Sequence, residues 1–128
     1  GQGLSRGMLL ENADNRPAIS KMVENNMRSG NPVKQPEKIY GLEKYTRPPR
    51  GQSSYKPDDT FIEKDHSGEI VSLLRCSPPG KDKIPGCRHK FIDKGLLYSI
   101  SWPIRDLPEW HKQREAAISF IDGLEISD

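Results

Sequence analysis

Glu69-Ile-Val-Ser-Leu-Leu-Arg-Cys76, Ser77-Pro-Pro-Gly-Lys-Asp-Lys-Ile-Pro-Gly86 and Cys87-Arg-His-Lys-Phe-Ile92 follow one another without a break. An apolar run enters a turn-rich segment and a second run leaves it. A cysteine stands at each end of the turn. The pattern is that of a β-hairpin whose strands are tied together near its tip. These are the chain's two cysteines. In a cytosolic protein such a pair is most often two free thiols, and in an exported one it is usually bridged. The close spacing and the hairpin context predict a Cys76–Cys87 disulfide and, with it, an oxidising compartment.

The same alternation extends on both sides. Thr60-Phe-Ile-Glu-Lys64 reads as a strand, and Asp65-His-Ser-Gly68 as the turn that leads into the hairpin. Asp93-Lys-Gly95 is a tight turn, and Leu96-Leu-Tyr-Ser-Ile-Ser-Trp102 the last strand. Leu96, Tyr98, Ile100 and Trp102 share one face of that strand, while Leu97, Ser99 and Ser101 take the other. Short strands joined by such turns make an antiparallel meander. Lys38-Ile-Tyr-Gly-Leu-Glu-Lys-Tyr-Thr46 adds a further strand, although Tyr45 breaks the parity of Tyr40, Leu42 and Thr46. The sheet is expected to hold about four to five strands.

After Pro103, Asp106-Leu-Pro-Glu109 reads as a capping box, in which Asp106 caps and Glu109 answers. Trp110, Ala117, Ile118 and Ile121 then fall on one helical face with Arg114 between them, and Gly123 is the expected stop. This amphipathic helix should cover one face of the sheet, with Trp110 and Phe120 as its largest apolar pieces. Near the other end, Asn15-Arg-Pro17 can open a short helix carrying Ile19, Met22, Val23 and Met27 at helical spacing. Ser29-Gly-Asn-Pro32 stops it. The expected class is therefore α+β: an antiparallel meander with a C-terminal amphipathic helix on one face and a short N-terminal helix. Residues 1–37 form an N-terminal segment of helix and linker, and residues 38–128 a single α+β domain.

Length and composition agree with one small core. The chain has 128 residues, 33% hydrophobic and 7% aromatic, with eleven prolines and eleven glycines. That lean composition suggests a compact core joined to long irregular segments. The net charge of +2 combines twenty basic with eighteen acidic residues, which makes no case for nucleic acid as a partner. No apolar run is long enough to span a membrane. Gly1-Gln-Gly-Leu-Ser5 reads as a trimmed start, which leaves room for an export signal or a lipid anchor removed upstream.

Chemistry-bearing motifs are scarce. Cys76, Cys87 and His89 with His66 or His111 would supply four zinc ligands, but the spacing lacks the close ligand pairs of structural zinc sites. A bridge beside an exposed histidine accounts better for these residues. No Gly-x-Ser-x-Gly elbow is present, and Pro79-Gly-Lys81 lacks phosphate-loop spacing. Asp58-Asp59 adjoins Pro57 and reads as a turn. No catalytic residue, cofactor or metal is assigned. What remains is a surface: basic residues Lys81, Lys83, Arg88, Lys90 and Lys94 around the hairpin, and the long polar loop Arg47–Asp59. Arg47, Arg50, Tyr55, Lys81, Lys83 and Arg88 are the candidate partner contacts, since loops held on a rigid sheet are a usual place for recognition.

Asp59-Thr-Phe-Ile-Glu63, Gly68-Glu-Ile-Val71, Leu74-Arg-Cys76, Cys87-Arg-His-Lys-Phe91, Leu97-Tyr-Ser-Ile-Ser-Trp-Pro103 and Arg105-Asp-Leu-Pro-Glu-Trp110, followed by the closing helix, carry a resemblance over residues 59–122. The chain resembles small exported proteins of Gram-negative bacteria encoded beside type VI secretion effectors. More narrowly, it is similar to the immunity proteins that neutralise phospholipase effectors in the periplasm. Cys-Arg-His-x-Phe and Leu-Pro-Glu-Trp are its most specific elements. The resemblance implies a periplasmic immunity protein, not an enzyme, that neutralises a cognate lipase effector. The lack of a nucleophile, metal site or cofactor loop, with long polar loops on a bridged scaffold, makes occlusion of the effector's active site the expected mechanism. The pattern belongs to the fold and assigns no contact residues. The competing expectations are an adaptor that binds a secretion effector without inhibiting it and, third, an enzyme.

Overall fold

The computed structural model describes residues 7–49, 56–78 and 85–126. Its centre is a seven-stranded antiparallel sheet in the order β1-β7-β6-β5-β4-β3-β2. The strands are β1 (Met8–Asn12), β2 (Val33–Lys34), β3 (Glu43–Thr46), β4 (Asp59–Lys64), β5 (Ile70–Cys76), β6 (Gly86–Asp93) and β7 (Leu96–Pro103). Helix α1 covers Ile19–Asn26 and helix α2 covers Trp110–Ile126.

The expectation of four to five strands is corrected by two additions from the first 37 residues. β1 pairs with β7, Leu10 opposite Tyr98, so the first strand completes the sheet beside the last one. β2 is two residues long and adds to β3. The strand expected over Lys38–Thr46 is shortened to β3. Ile39 and Leu42 exchange backbone hydrogen bonds around Tyr40 and Gly41, both at positive φ, which makes a tight turn where a strand was expected. Leu42 turns into the core and is fully buried.

The start of the N-terminal helix is also corrected. Ala13–Asn15 is a 3-10 turn capped by the Asn12 side chain, and Arg16 is extended. The α-helical turns begin only at Ile19.

The two faces of the sheet are filled differently. On one, Phe61, Leu74, Phe91, Tyr98, Ile100 and Trp102 meet Trp110, Ala117 and Ile121 of α2. Phe91 and Tyr98 stack with ring centroids 4.7 Å apart. The Trp110 indole donates to the Tyr40 carbonyl at 2.9 Å, which ties α2 to the β3 turn. Arg114, between the apolar positions of α2, reaches Glu63 at 2.6 Å and lies over the Phe91 and Trp110 rings. Its charge is thus satisfied at the edge of the core.

Other expectations for this region change. Ile104–Glu109 is a 3-10 helix that runs straight into α2, with no side-chain cap at its start, and Glu109 pairs with Lys112. The capping box is therefore not made, because the chain is already helical where a cap would sit. Gly123 does not stop α2, which continues to Ile126. Phe120 is 39% exposed, since the inward stripe runs through Ala117 and Ile121 and leaves it on the outer side. His89 is fully buried against Phe91 and Trp110 instead of exposed.

On the other face, Ile19 and Val23 of α1 pack on Ile62, Leu73 and Leu97. α1 has no side-chain cap at its N-terminus. Its other end is held by Arg47, which donates to the Asn26 carbonyl at 2.8 Å, the Ser29 carbonyl at 3.1 Å and the Thr60 hydroxyl at 2.8 Å. A cation suits the carbonyl end of a helix. A side chain on Gly30 would meet Arg47 Cδ at 2.6 Å, and Gly30 has φ +80°. This glycine is required so that the arginine can lie across the helix end.

Candidate functional site

α1 is short and covers only part of its face. Beyond it, the register lays a row across four strands: Thr60 opposite Arg75, Arg75 opposite Arg88, and Arg88 opposite Ser101. The next row runs Ile62, Leu73, Lys90, Ser99 and Leu9. Alternation puts all of these side chains on the α1 face. α1 covers Ile62 and Leu73. Arg75, Arg88 and Leu9 stay exposed, and Lys90 is half-buried.

Two adjoining hollows lie over this face, of about 450 and 380 Å³. Arg75 and Arg88 line both. Ser101 and Trp102 close the first, and Met22, Asn25 and Asn26 of α1 flank the second. The basic side chains therefore line a trough.

Arg75 and Arg88 stand directly opposite each other on neighbouring strands, a placement in which like charges repel. Among the described residues, Arg75 has one carboxylate partner, Asp58, at 3.2 Å. Arg88 and Lys90 have no ion-pair partner among the described residues. Arg47 joins the row through Thr60. Burial first, and then the Arg75 charge, pull its guanidinium below the ordinary arginine value.

The disulfide sits next to this pair. Cys76 and Cys87 are bridged and lie opposite each other in the β5–β6 register, one position beyond Arg75 and Arg88. Both sulfurs belong to the buried α2 face. The covalent link on one face holds together the strands that carry the repelling pair on the other. Bridging also removes both thiols from the zinc set considered from the sequence.

Of the partner contacts expected from the sequence, Arg47 and Arg88 are brought to the same face. Arg47 spends its hydrogen bonds on α1 and Thr60, whereas Arg88 is open. Arg50, Tyr55, Lys81 and Lys83 lie outside the described residues. Arg75 was not singled out by sequence reasoning, and a signal for it existed. Once Cys76 and Cys87 are taken as bridged across a hairpin, the residue before the first must face the residue after the second. Lys90 was noted as part of a basic cluster without its place beside Arg75.

No protein-family model matches the chain, and no curated relative does. A solved structure does match: an immunity protein of the Stenotrophomonas maltophilia type IV secretion system, with a TM-score of 0.66 at 19% sequence identity. The two chains share a fold. The match covers 90% of this chain and 67% of that one, so it extends beyond the meander into the N-terminal segment.

Proposed function

We propose that this chain binds and neutralises a toxin delivered by a bacterial secretion system. The observation that carries the reading is the likeness to an immunity protein across 90% of the chain. The finer reading is a periplasmic protein that occludes a phospholipase effector of a type VI system. It draws on the motif resemblance over residues 59–122 and on the Cys76–Cys87 bridge, which suits an oxidising compartment. The solved neighbour belongs to a type IV system, so the chemistry of the toxin and the system that delivers it are separate questions. Occlusion suits a rigid, bridged sheet that offers an open polar face, because such a scaffold can cover an active site with little ordering of its own chain.

The test is to purify this chain with the secreted effector encoded beside it, separate the mixture by size, and measure lipid hydrolysis alongside. A co-eluting complex without hydrolytic activity is expected, with an affinity on the order of nanomolar or tighter. Binding that leaves hydrolysis untouched would replace neutralisation by an adaptor role. An effector that hydrolyses no lipid but is still silenced would overturn the phospholipase assignment and keep the neutralising one. No binding would reject both.

A further inference from the structure

We infer that the trough lined by Arg75, Arg88 and Lys90 receives an acidic segment of the bound protein, with two or three carboxylates spaced roughly 5 Å apart, as on one face of a helix. This rests on the neutralising reading for the identity of the partner, and on the geometry alone for its chemistry.

Directly opposed like charges destabilise a sheet. Here Arg75 faces Arg88, with Lys90 two positions along on the same face. Among the described residues, Asp58 offsets one of the three charges. The carboxylates of the neighbouring elements are engaged elsewhere: Glu24 with Lys21, Glu11 with Arg16, and Glu43 with Lys34 and Lys64. From α1, the trough receives the uncharged Met22, Asn25 and Asn26. Among the described residues, two of the three charges are therefore left for an outside partner.

Size and spacing narrow the occupant. From Arg75 on β5 to Ser101 on β7 the open row crosses two strand gaps, about 10 Å at ~4.8 Å per gap. That exceeds the reach of a single phosphate or carboxylate and matches about two turns of helix. Opposed residues on neighbouring antiparallel strands have Cβ atoms roughly 5 Å apart, close to the spacing of side chains three or four residues apart on a helix. Guanidinium groups take carboxylates in paired hydrogen bonds, so the arginines suit this partner better than lysines would. A net charge of only +2 and a concave outline argue against nucleic acid or a flat membrane surface as the occupant.

The test uses the full chain and the adjacent effector. Affinity is measured from 50 to 300 mM salt for the wild type, for the combined Arg75→Gln, Arg88→Gln and Lys90→Gln variant, and for a control carrying Lys112→Gln and Arg105→Gln. Thermal melts establish that each is folded, and Arg88→Gln alone serves if the combined variant is not. We expect the trough variant to bind at least ~10-fold more weakly with a flatter salt dependence, and the control to match the wild type. Equal affinity of trough variant and wild type would overturn the inference while leaving neutralisation intact. Absence of any wild-type complex would instead reject neutralisation. The trough is then judged by titrating isotope-labelled protein with hexaglutamate, inorganic phosphate and phosphatidylglycerol vesicles. Shifts at Arg75, Arg88, Lys90 and Ser101 with the peptide alone support the inference. Equal shifts with phosphate, a response to vesicles alone, or none at all overturn it.

Discussion

On the α2 face, Phe61, Leu74, Phe91, Tyr98 and Ile100 are covered by a 17-residue helix and closed to water. On the α1 face, the same strands carry Arg75, Arg88, Lys90, Ser99 and Ser101, and an eight-residue helix covers only the apolar positions beside them. Two neighbouring residues on one strand therefore serve opposite ends. His89 lies buried in an aromatic cluster, and Arg88 points to water. The lesson is that period-2 alternation can put stability on one face and leave the other free for charge. The bridge Cys76–Cys87 links the two roles, since it is packed in the core and spans the strands of the cationic pair.

The largest expected break is on the closed face. Trp110 is buried beside His89 and donates to the Tyr40 carbonyl, so Trp110→Ala should lower unfolding stability by roughly 3–5 kcal/mol. Denaturant melts measure it, and a loss under about 1 kcal/mol would mean that α2 is not the lid of this core.

The bridge comes next. Reduction, or Cys76→Ala with Cys87→Ala, should cost about 2–3 kcal/mol, through the shorter loop closed in the unfolded chain. If Arg75 and Arg88 repel as placed, part of that loss should be recovered at high salt. A loss unaffected by salt would separate the bridge from the charge pair.

Acid should act through the closed face as well. Burial first, and then the Arg114 charge, push the His89 imidazole down to about 3. Its ordinary value is 6.5. Below 6.5 the unfolded chain takes up a proton that the folded one refuses. His89 therefore withdraws stability as pH falls from 6.5 toward 3, and adds no pH dependence above that window. Between pH 7 and 5 the loss should be about 2 kcal/mol. In His89→Leu that slope should be nearly flat, and an unchanged slope would assign it to other groups.

The smallest effect is expected on the open face. Arg88→Gln should leave stability within about 0.5 kcal/mol, or raise it slightly by relieving the opposed pair. A loss above about 1 kcal/mol would show that the arginine is built into the fold and is not free for a partner.

Much of the closed face could be read along the chain. The strands β4 to β7, the inward stripe Trp110, Ala117 and Ile121, and the bridged hairpin all follow from local periodicity, because burial of one face forces alternation. Misreadings fell where a distant partner decided. Met8–Asn12 has too few residues to declare a strand alone, and its hydrogen bonds are made with β7, at the far end of the chain. Tyr40 sits at positive φ in a turn closed by Ile39 and Leu42, with its carbonyl held by Trp110, so the apolar residues around it do not mark a strand. Phe120 and Ile121 are adjacent and equally apolar, and only the docking angle of α2 exposes one and buries the other.

By itself, the amino-acid order determined the antiparallel α+β character, the pairing of Cys76 with Cys87 and the inward face of the last helix. These are local properties, carried by the spacing of side chains on a single element or across a single turn. Only the tertiary structure decided that seven strands join one sheet, that His89 is buried, and that Arg75, Arg88 and Lys90 gather on the part of one face that α1 leaves uncovered. Those arrangements depend on which strands become neighbours and how far a helix reaches across them. Both are set by the packing of the whole chain.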